Sequence, residues 1–324
     1  MITIAFSTHR LEVLSRAEKL MWEHDIIALE EPPHPLFDAM LRGEVSVKDY
    51  VREAEYEFPE FARASCELYR RLYCHGKSIV QVDPYMEHLA WIHEFFASGG
   101  TSDGIDPSST HCKVYQIERK TTAALLNFYR MSLIGTFEDV VQSVKTFAKA
   151  DAERISLRDK MRAESLAVRA TTTSKLYVEA GYIHFALPRH LRKLIHCRNR
   201  IEIVFLLRRE TEERIGLKQV LGPGDRLTLL FMFHPNWNEP LADLLAAQSL
   251  IFVKLLNKNE LEPQKGSFPH LDDEATAYLL TKNLSWDDCR KLWHTVKFRH
   301  PEEAREIVKI YLGKKPLQDT RSTS

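Results

Sequence analysis

Three short β-branched runs, each followed by a long stretch of helix-spaced apolar residues, constrain this chain more than any other feature. Residues 3–6 read Thr-Ile-Ala-Phe, and residues 11–23 then carry apolar side chains at Leu11, Leu14, Ala17, Leu20 and Met21. A second run at 26–29 is stopped by Glu30-Glu31-Pro32-Pro33. A helical region through residues 50–73 leads to Gly76 and a third run at 78–82. Parallel strands need crossovers of about a dozen residues or more, usually helical, whereas antiparallel strands can be joined by tight turns. The spacing therefore predicts an α/β fold, a mostly parallel β-sheet flanked by helices.

The pattern continues with a helix at 85–97 and a polar, glycine-rich loop at 99–109. Loops of that length in compact domains are commonly functional, so a lid is expected there. A helical region at about 121–171 is expected to break near Gly135 and again near Ile155. Strands follow at 176–180, 201–207 and 227–233, with a basic helix at 188–195 and a turn at Gly222-Pro223-Gly224-Asp225. From residue 240 the pattern is helical, with helices at 272–282, 286–296 and 301–312. Trp286, Trp293, Leu279 and Leu284 read as their core. The expected organisation is an α/β domain over 1–235 carrying the site, a helical C-terminal region over 236–314 and a flexible tail over 315–324.

Composition narrows the partners. Forty-five basic residues meet forty-five acidic ones, so no global charge draws the chain to nucleic acid or an anionic membrane. The basic run from Arg189 to Arg200 carries Leu191, Leu194 and Ile195 at helical spacing and reads as a solvated helix face. No segment approaches the roughly 18 apolar residues of a membrane span. The first residues lack the basic start and apolar length of a signal peptide. Five widely spaced cysteines (Cys66, Cys74, Cys112, Cys197, Cys289), without a C-x-x-C pair, suit reduced thiols. A cytoplasmic protein is expected, with neither nucleic acid nor membrane as partner.

In open parallel sheets ligands bind beyond the carboxyl ends of the strands, so the first polar residues after each strand are the candidate site. Strand one ends in Ser7-Thr8-His9-Arg10, strand two in Glu30-Glu31, strand three in Asp83-Pro84, with Glu87 and His88 a turn further on. The strand at 176–180 ends in Gly181-Tyr182-Ile183-His184. His9, Glu30, Asp83 and His184 would face one crevice. Two imidazoles with carboxylates suit a divalent metal site or general acid–base catalysis. Asp83-Pro84 also reads as an Asp N-cap with Pro at the first helical position. No G-x-S-x-G nucleophile elbow is present.

Five segments in order also resemble the erythromycin esterase, TraB, ChaN and TIKI-like superfamily. Ile4-Ala5-Phe6-Ser7-Thr8-His9 is similar to its opening strand, and Asp25-Ile26-Ile27-Ala28-Leu29-Glu30 to its second, glutamate-ended one. Val80-Gln81-Val82-Asp83 resembles the third strand of the erythromycin esterase branch. Arg158-Asp159-Lys160-Met161-Arg162-Ala163-Glu164 is similar to a helical R-D-x-x-M-A-E motif, and Gly181-Tyr182-Ile183-His184 to a G-x-x-H strand end. These segments span roughly residues 1–195. Ser7 stands where most relatives have Gly, Arg162 where Met is expected, and the first His lacks an adjacent Glu.

The resemblance adds Arg158 as a site residue, suited to holding a carboxylate, a phosphate or an oxyanion. It implies a hydrolase using His9, Glu30, Asp83, Arg158 and His184 on a small-molecule or peptide substrate, with His9 or His184 activating water. A divalent metal, manganese or zinc, would sit on His9, Glu30 and His184. The ChaN-like branch implies instead a non-catalytic protein binding haem or another small molecule.

Overall fold

The computed structural model describes residues 1–170, 174–195, 200–234 and 236–314; the expected tail at 315–324 lies outside them. Among the described residues five strands form one parallel sheet, β1 (Ile2–Ser7), β2 (Ile26–Leu29), β3 (Ser78–Gln81), β4 (Leu176–Gly181) and β5 (Ile201–Phe205). Their spatial order is β3-β2-β4-β1-β5. The helices up to the third strand are α1 (Leu14–Trp22), α2 (Phe37–Arg42), α3 (Val47–Glu53) and α4 (Pro59–Cys74). Next come α5 (Pro84–Ala97), α6 (Thr110–Ile134), α7 (Phe137–Arg169), α8 (Ala186–Leu194), α9 (Arg208–Ile215) and α10 (Pro223–Phe233). The C-terminal region is helical, with α11 (Glu239–Leu255), α12 (Pro269–Thr281), α13 (Trp286–Val296) and α14 (Pro301–Lys314). The fold is α/β, as the alternation predicts.

Side chains alternate between the sheet's faces because the strand period is two. Ala5, Ile27, Leu29 and Tyr177 pack with Met21, Met40 and Tyr69 of α1, α2 and α4. Ile4, Phe6, Ala28 and Val178 pack with Ala163 and Leu166 of α7 and Leu187 and Leu191 of α8. The chain thus leaves β1 toward one face and β4 toward the other. These two strands are neighbours, with Ser7 opposite Gly181. Their carboxyl ends open a crevice, as the rule for parallel sheets requires.

Helix α7 joins this layer to a second core. Thr136 and Asp139 start it with reciprocal side-chain to backbone bonds. Its first half packs Phe137, Val140 and Val144 among Leu227, Leu250, Ile251 and Trp293 of α10, α11 and α13. Its last turns lie under the sheet. At 33 residues it is about 50 Å long.

Several expected elements are corrected. The run at 227–233 is not a strand but the body of α10. An apolar run that short does not separate strand from buried helix by periodicity. The turn before it decides, because Pro223 fits the first helical position and Asp225 Oδ2 accepts the Gly222 N–H at 3.0 Å. The expected break near Ile155 is absent, and α7 runs through it. The helical region at 50–73 is two helices, separated where Glu55 takes a left-handed φ of 51°. Leu279 is 43% exposed rather than core, while Trp293 and Leu284 are buried. The loop at 99–109 is tied down: a Cβ on Gly100 would lie 2.4 Å from the Phe95 ring, and Ser109 caps α6. None of its residues lines the crevice, so it supplies no lid there. No described helix is long and apolar enough to cross a membrane.

Candidate functional site

Four of the five expected site residues meet in one buried ion cluster. His184 places Nε2 2.7 Å from Glu30 Oε1, and its Nδ1 pairs with Asp159 Oδ1. Asp159 Oδ2 accepts the Leu187 N–H at 2.9 Å. Arg158 donates from Nε and Nη2 to Asp83 Oδ2 at 2.8 and 2.5 Å, and Nη2 lies 3.2 Å from Glu30 Oε1. Asp83 also accepts the Met86 N–H with Oδ1 at 3.2 Å, so it caps α5 and anchors Arg158 together.

Arg162 completes the cluster from the next turn of α7. Its Nε donates to Val82 O and its Nη2 to Glu179 O, both at 2.9 Å. Its Nη1 lies 3.4 Å from Glu30 Oε2, which accepts the Gly181 N–H at 2.6 Å. Asp83, Asp159 and Arg162 are 0% exposed and His184 is 3% exposed. Buried charges persist only when paired and hydrogen-bonded. Here the carboxylates of Glu30, Asp83 and Asp159 face Arg158, Arg162 and His184.

This pairing sets the protonation states. Burial disfavours an imidazolium, but the flanking Glu30 and Asp159 outweigh it and push the His184 pKa up to about 9. Burial likewise disfavours the Glu30 carboxylate, yet His184, Arg162 and Arg158 hold its pKa well below the usual value. His184 is a cation at neutral pH with both nitrogens engaged, so it is not the base that activates water. The metal set His9, Glu30 and His184 does not fit either. Both His184 nitrogens face carboxylates, and Glu30 is committed to His184, the arginines and the Gly181 amide. Among the described residues no group of three or more His, Cys, Asp or Glu side chains is placed to hold a metal ion.

His9 stands apart, on the other side of Gly181. A Cβ there would lie 3.4 Å from His9 Cε1, 3.5 Å from His184 Cδ2 and 3.7 Å from Glu30 Oε2. The His9 backbone is left-handed, with φ 52°, and its N–H donates to Ser7 Oγ at 3.0 Å. Ser7, which departs from the resembled motif, thus supplies the acceptor that holds the turn. His9 Nε2 is 3.8 Å from Glu179 Oε1, and Glu179 Oε2 accepts the Glu30 N–H at 3.3 Å. Glu179 thereby links His9 to the cluster. Glu31 turns elsewhere, to Gln81 Nε2 at 2.9 Å, and burial raises its pKa to about 7. His88 faces His111 across α5 and α6.

His9 opens onto a cleft of about 280 Å³ that also touches Thr8, Gly181, Tyr182, Asp225, Phe252 and Glu274. The helices beyond residue 235 therefore build one wall of the site. Solvent reaches Asp225, yet the protein around it raises its pKa to about 6 through desolvation. Glu274 is pushed up to about 8, by burial first and by Asp225 second. Thr8 Oγ1 and Tyr182 OH are buried in the wall without a hydrogen-bond partner. A carboxyl whose pKa is raised on folding costs stability as pH rises from 4.5 through about 8. Glu274→Gln should therefore raise the melting temperature at mildly alkaline pH, with the gain vanishing in acid. Thermal denaturation across that pH range checks it.

Sequence reasoning missed Asp159, Arg162, Glu179, Asp225 and Glu274. A glutamate inside the otherwise apolar run Leu176–Gly181 was a usable signal. So was the four-residue spacing of Arg158 and Arg162, which places both on one helix face. Nothing local marks Asp225 or Glu274.

Fold and site define the class: an open parallel α/β protein with a buried ion cluster beneath a His–carboxyl cleft at the carboxyl edge of its sheet. The chain is 30% identical over 292 residues to a protein of Archaeoglobus fulgidus described only as uncharacterized, covering 90% of this chain and 97% of that one. It belongs to the same family as that archaeal protein. No family model and no solved structure matches it.

Proposed function

We propose that the cleft hydrolyses an ester or amide by general acid–base catalysis. The observation that carries this reading is the meeting of His9, backed by Glu179, with two carboxyls of raised pKa in one cleft. Groups whose pKa is tuned toward neutrality by burial are the usual acid and base candidates. His9 takes a proton from water as its oxygen adds to the substrate carbonyl. Glu274, protonated at neutral pH, gives its proton to the leaving group as the carbon–heteroatom bond breaks. Solvent then carries the proton from His9 back to Glu274. The buried cluster holds Gly181 and the Glu179 strand in register, and no step runs through it.

The superfamily resemblance supports hydrolysis as the reaction class, while Glu30, Asp83, Arg158 and His184, which it implies as catalytic, serve in this reading to hold the strand ends. A cleft near the lower end of the usual range, about 300–1,000 Å³, suits a small polar group better than a macrocycle such as haem. A panel of chromogenic carboxylic esters and amides tests it, with circular dichroism to confirm folding. His9→Asn and Glu274→Gln should each lower kcat about 100-fold. The alkaline limb of the pH profile, centred near the Glu274 pKa of about 8, should disappear in Glu274→Gln. Full turnover in both variants would sink the assignment.

A further inference from the structure

Asp225 lines a second cavity as well as the cleft. Helices α6, α7, α10, α11 and α13 enclose about 420 Å³ there, walled by Phe128, Phe147, Leu250, Val253 and Trp293. Two hydroxyls on its lining are already spent inside their own helices. Ser132 Oγ donates to Phe128 O at 2.8 Å, and Ser249 Oγ to Ala246 O at 2.7 Å. Asp151 is occupied by Arg154, whose Nε donates to its Oδ1 at 2.9 Å. What the cavity offers an occupant is therefore mostly apolar surface, with polar groups at Tyr129, Asp225, Thr228, Lys254 and Lys258. Its volume falls in the usual range for small-molecule sites, about 300–1,000 Å³.

The cleft is smaller and more polar than this cavity, and shares Asp225 with it. We infer that the substrate is an amphiphile, its hydrolysable group in the cleft and an apolar acyl chain in the cavity between α6, α7 and α11. The inference rests on the hydrolytic reading of the cleft for its first half and on the cavity alone for its second. Burying each methylene of such a chain favours binding, so a few added carbons change specificity about tenfold or more.

Two measurements on the full-length protein separate the halves. The first is binding of the neutral apolar dye N-phenyl-1-naphthylamine and its displacement by octanoate. The second compares kcat/KM for p-nitrophenyl octanoate and acetate. The wild type should bind the dye, release it to octanoate and prefer the octanoyl ester about tenfold or more. Val253→Trp and Ser132→Trp, on the lining of the cavity and away from His9 and Glu274, should abolish dye binding and bring the octanoate-to-acetate ratio of kcat/KM down toward parity. Having two variants guards against one that folds poorly. Dye binding displaced by octanoate without hydrolysis of either ester would keep the chain site and sink the hydrolytic reading. Hydrolysis with neither dye binding nor chain preference would overturn this inference alone.

Discussion

Arg162→Met should destabilise the protein by about 3–5 kcal/mol, the usual cost of removing one partner from a buried ion pair. The guanidinium is fully buried and serves three partners at once: Val82 O, Glu179 O and Glu30. Methionine matches the aliphatic stem but leaves two strand-end carbonyls without donors and Glu30 short of a counter-charge. Replacing a whole buried pair with apolar side chains is often neutral, whereas orphaning one member is not. The double variant Glu30→Gln/Arg162→Met should therefore lose less than the two single variants summed. Urea denaturation of the three variants gives the comparison. A single Arg162→Met variant as stable as the wild type would show that Glu30 has enough compensation without it.

A second large effect should appear as pH rises. The pKa of His184 is about 9 in the folded protein, against a usual 6.5. A pKa raised by folding contributes stability that is whole below the unfolded value and is lost as pH climbs through the folded one. The window is thus from 6.5 to about 9, and the loss across it is about 3 kcal/mol. In Asp159→Asn the imidazolium keeps only Glu30. That variant should be less stable at neutral pH and show a shallower decline in the same window. Denaturation midpoints at half-unit steps of pH measure both slopes. A flat wild-type profile over this window would mean that His184 is not held as a cation.

The sheet was legible because its evidence is local. β-branched runs, their stop signals and the lengths between them define parallel strands, and strand ends point to the crevice. Hence His9, Glu30, Asp83 and His184 were found from position alone, and Arg158 through resemblance. The strand predicted at 227–233 failed because one short apolar run fits both periods, and the capping by Asp225 was read only as a turn. Arg162 stands in the sequence only as a departure from a motif, although it is as fully buried as Asp83 and Asp159. Glu274 was out of reach for another reason. It arrives from α12, about 90 residues beyond β4 in sequence, and only packing of that helix near the strand ends makes it part of the cleft.

Helix α7 gives these parts a common fate. One rod carries Arg158, Asp159 and Arg162 near its end and Phe137, Val140 and Val144 at its start, inside the other core. A rod embedded in two cores does not let either melt quietly. Amide protons along its whole length should exchange with solvent through one shared opening, and the helices after residue 235 should open with it. A cut at that boundary should release no independent α/β unit, since it would take away the helices that pack on the first half of α7 and one wall of the cleft. The ion cluster should therefore exchange at the same rate as the helices after residue 235.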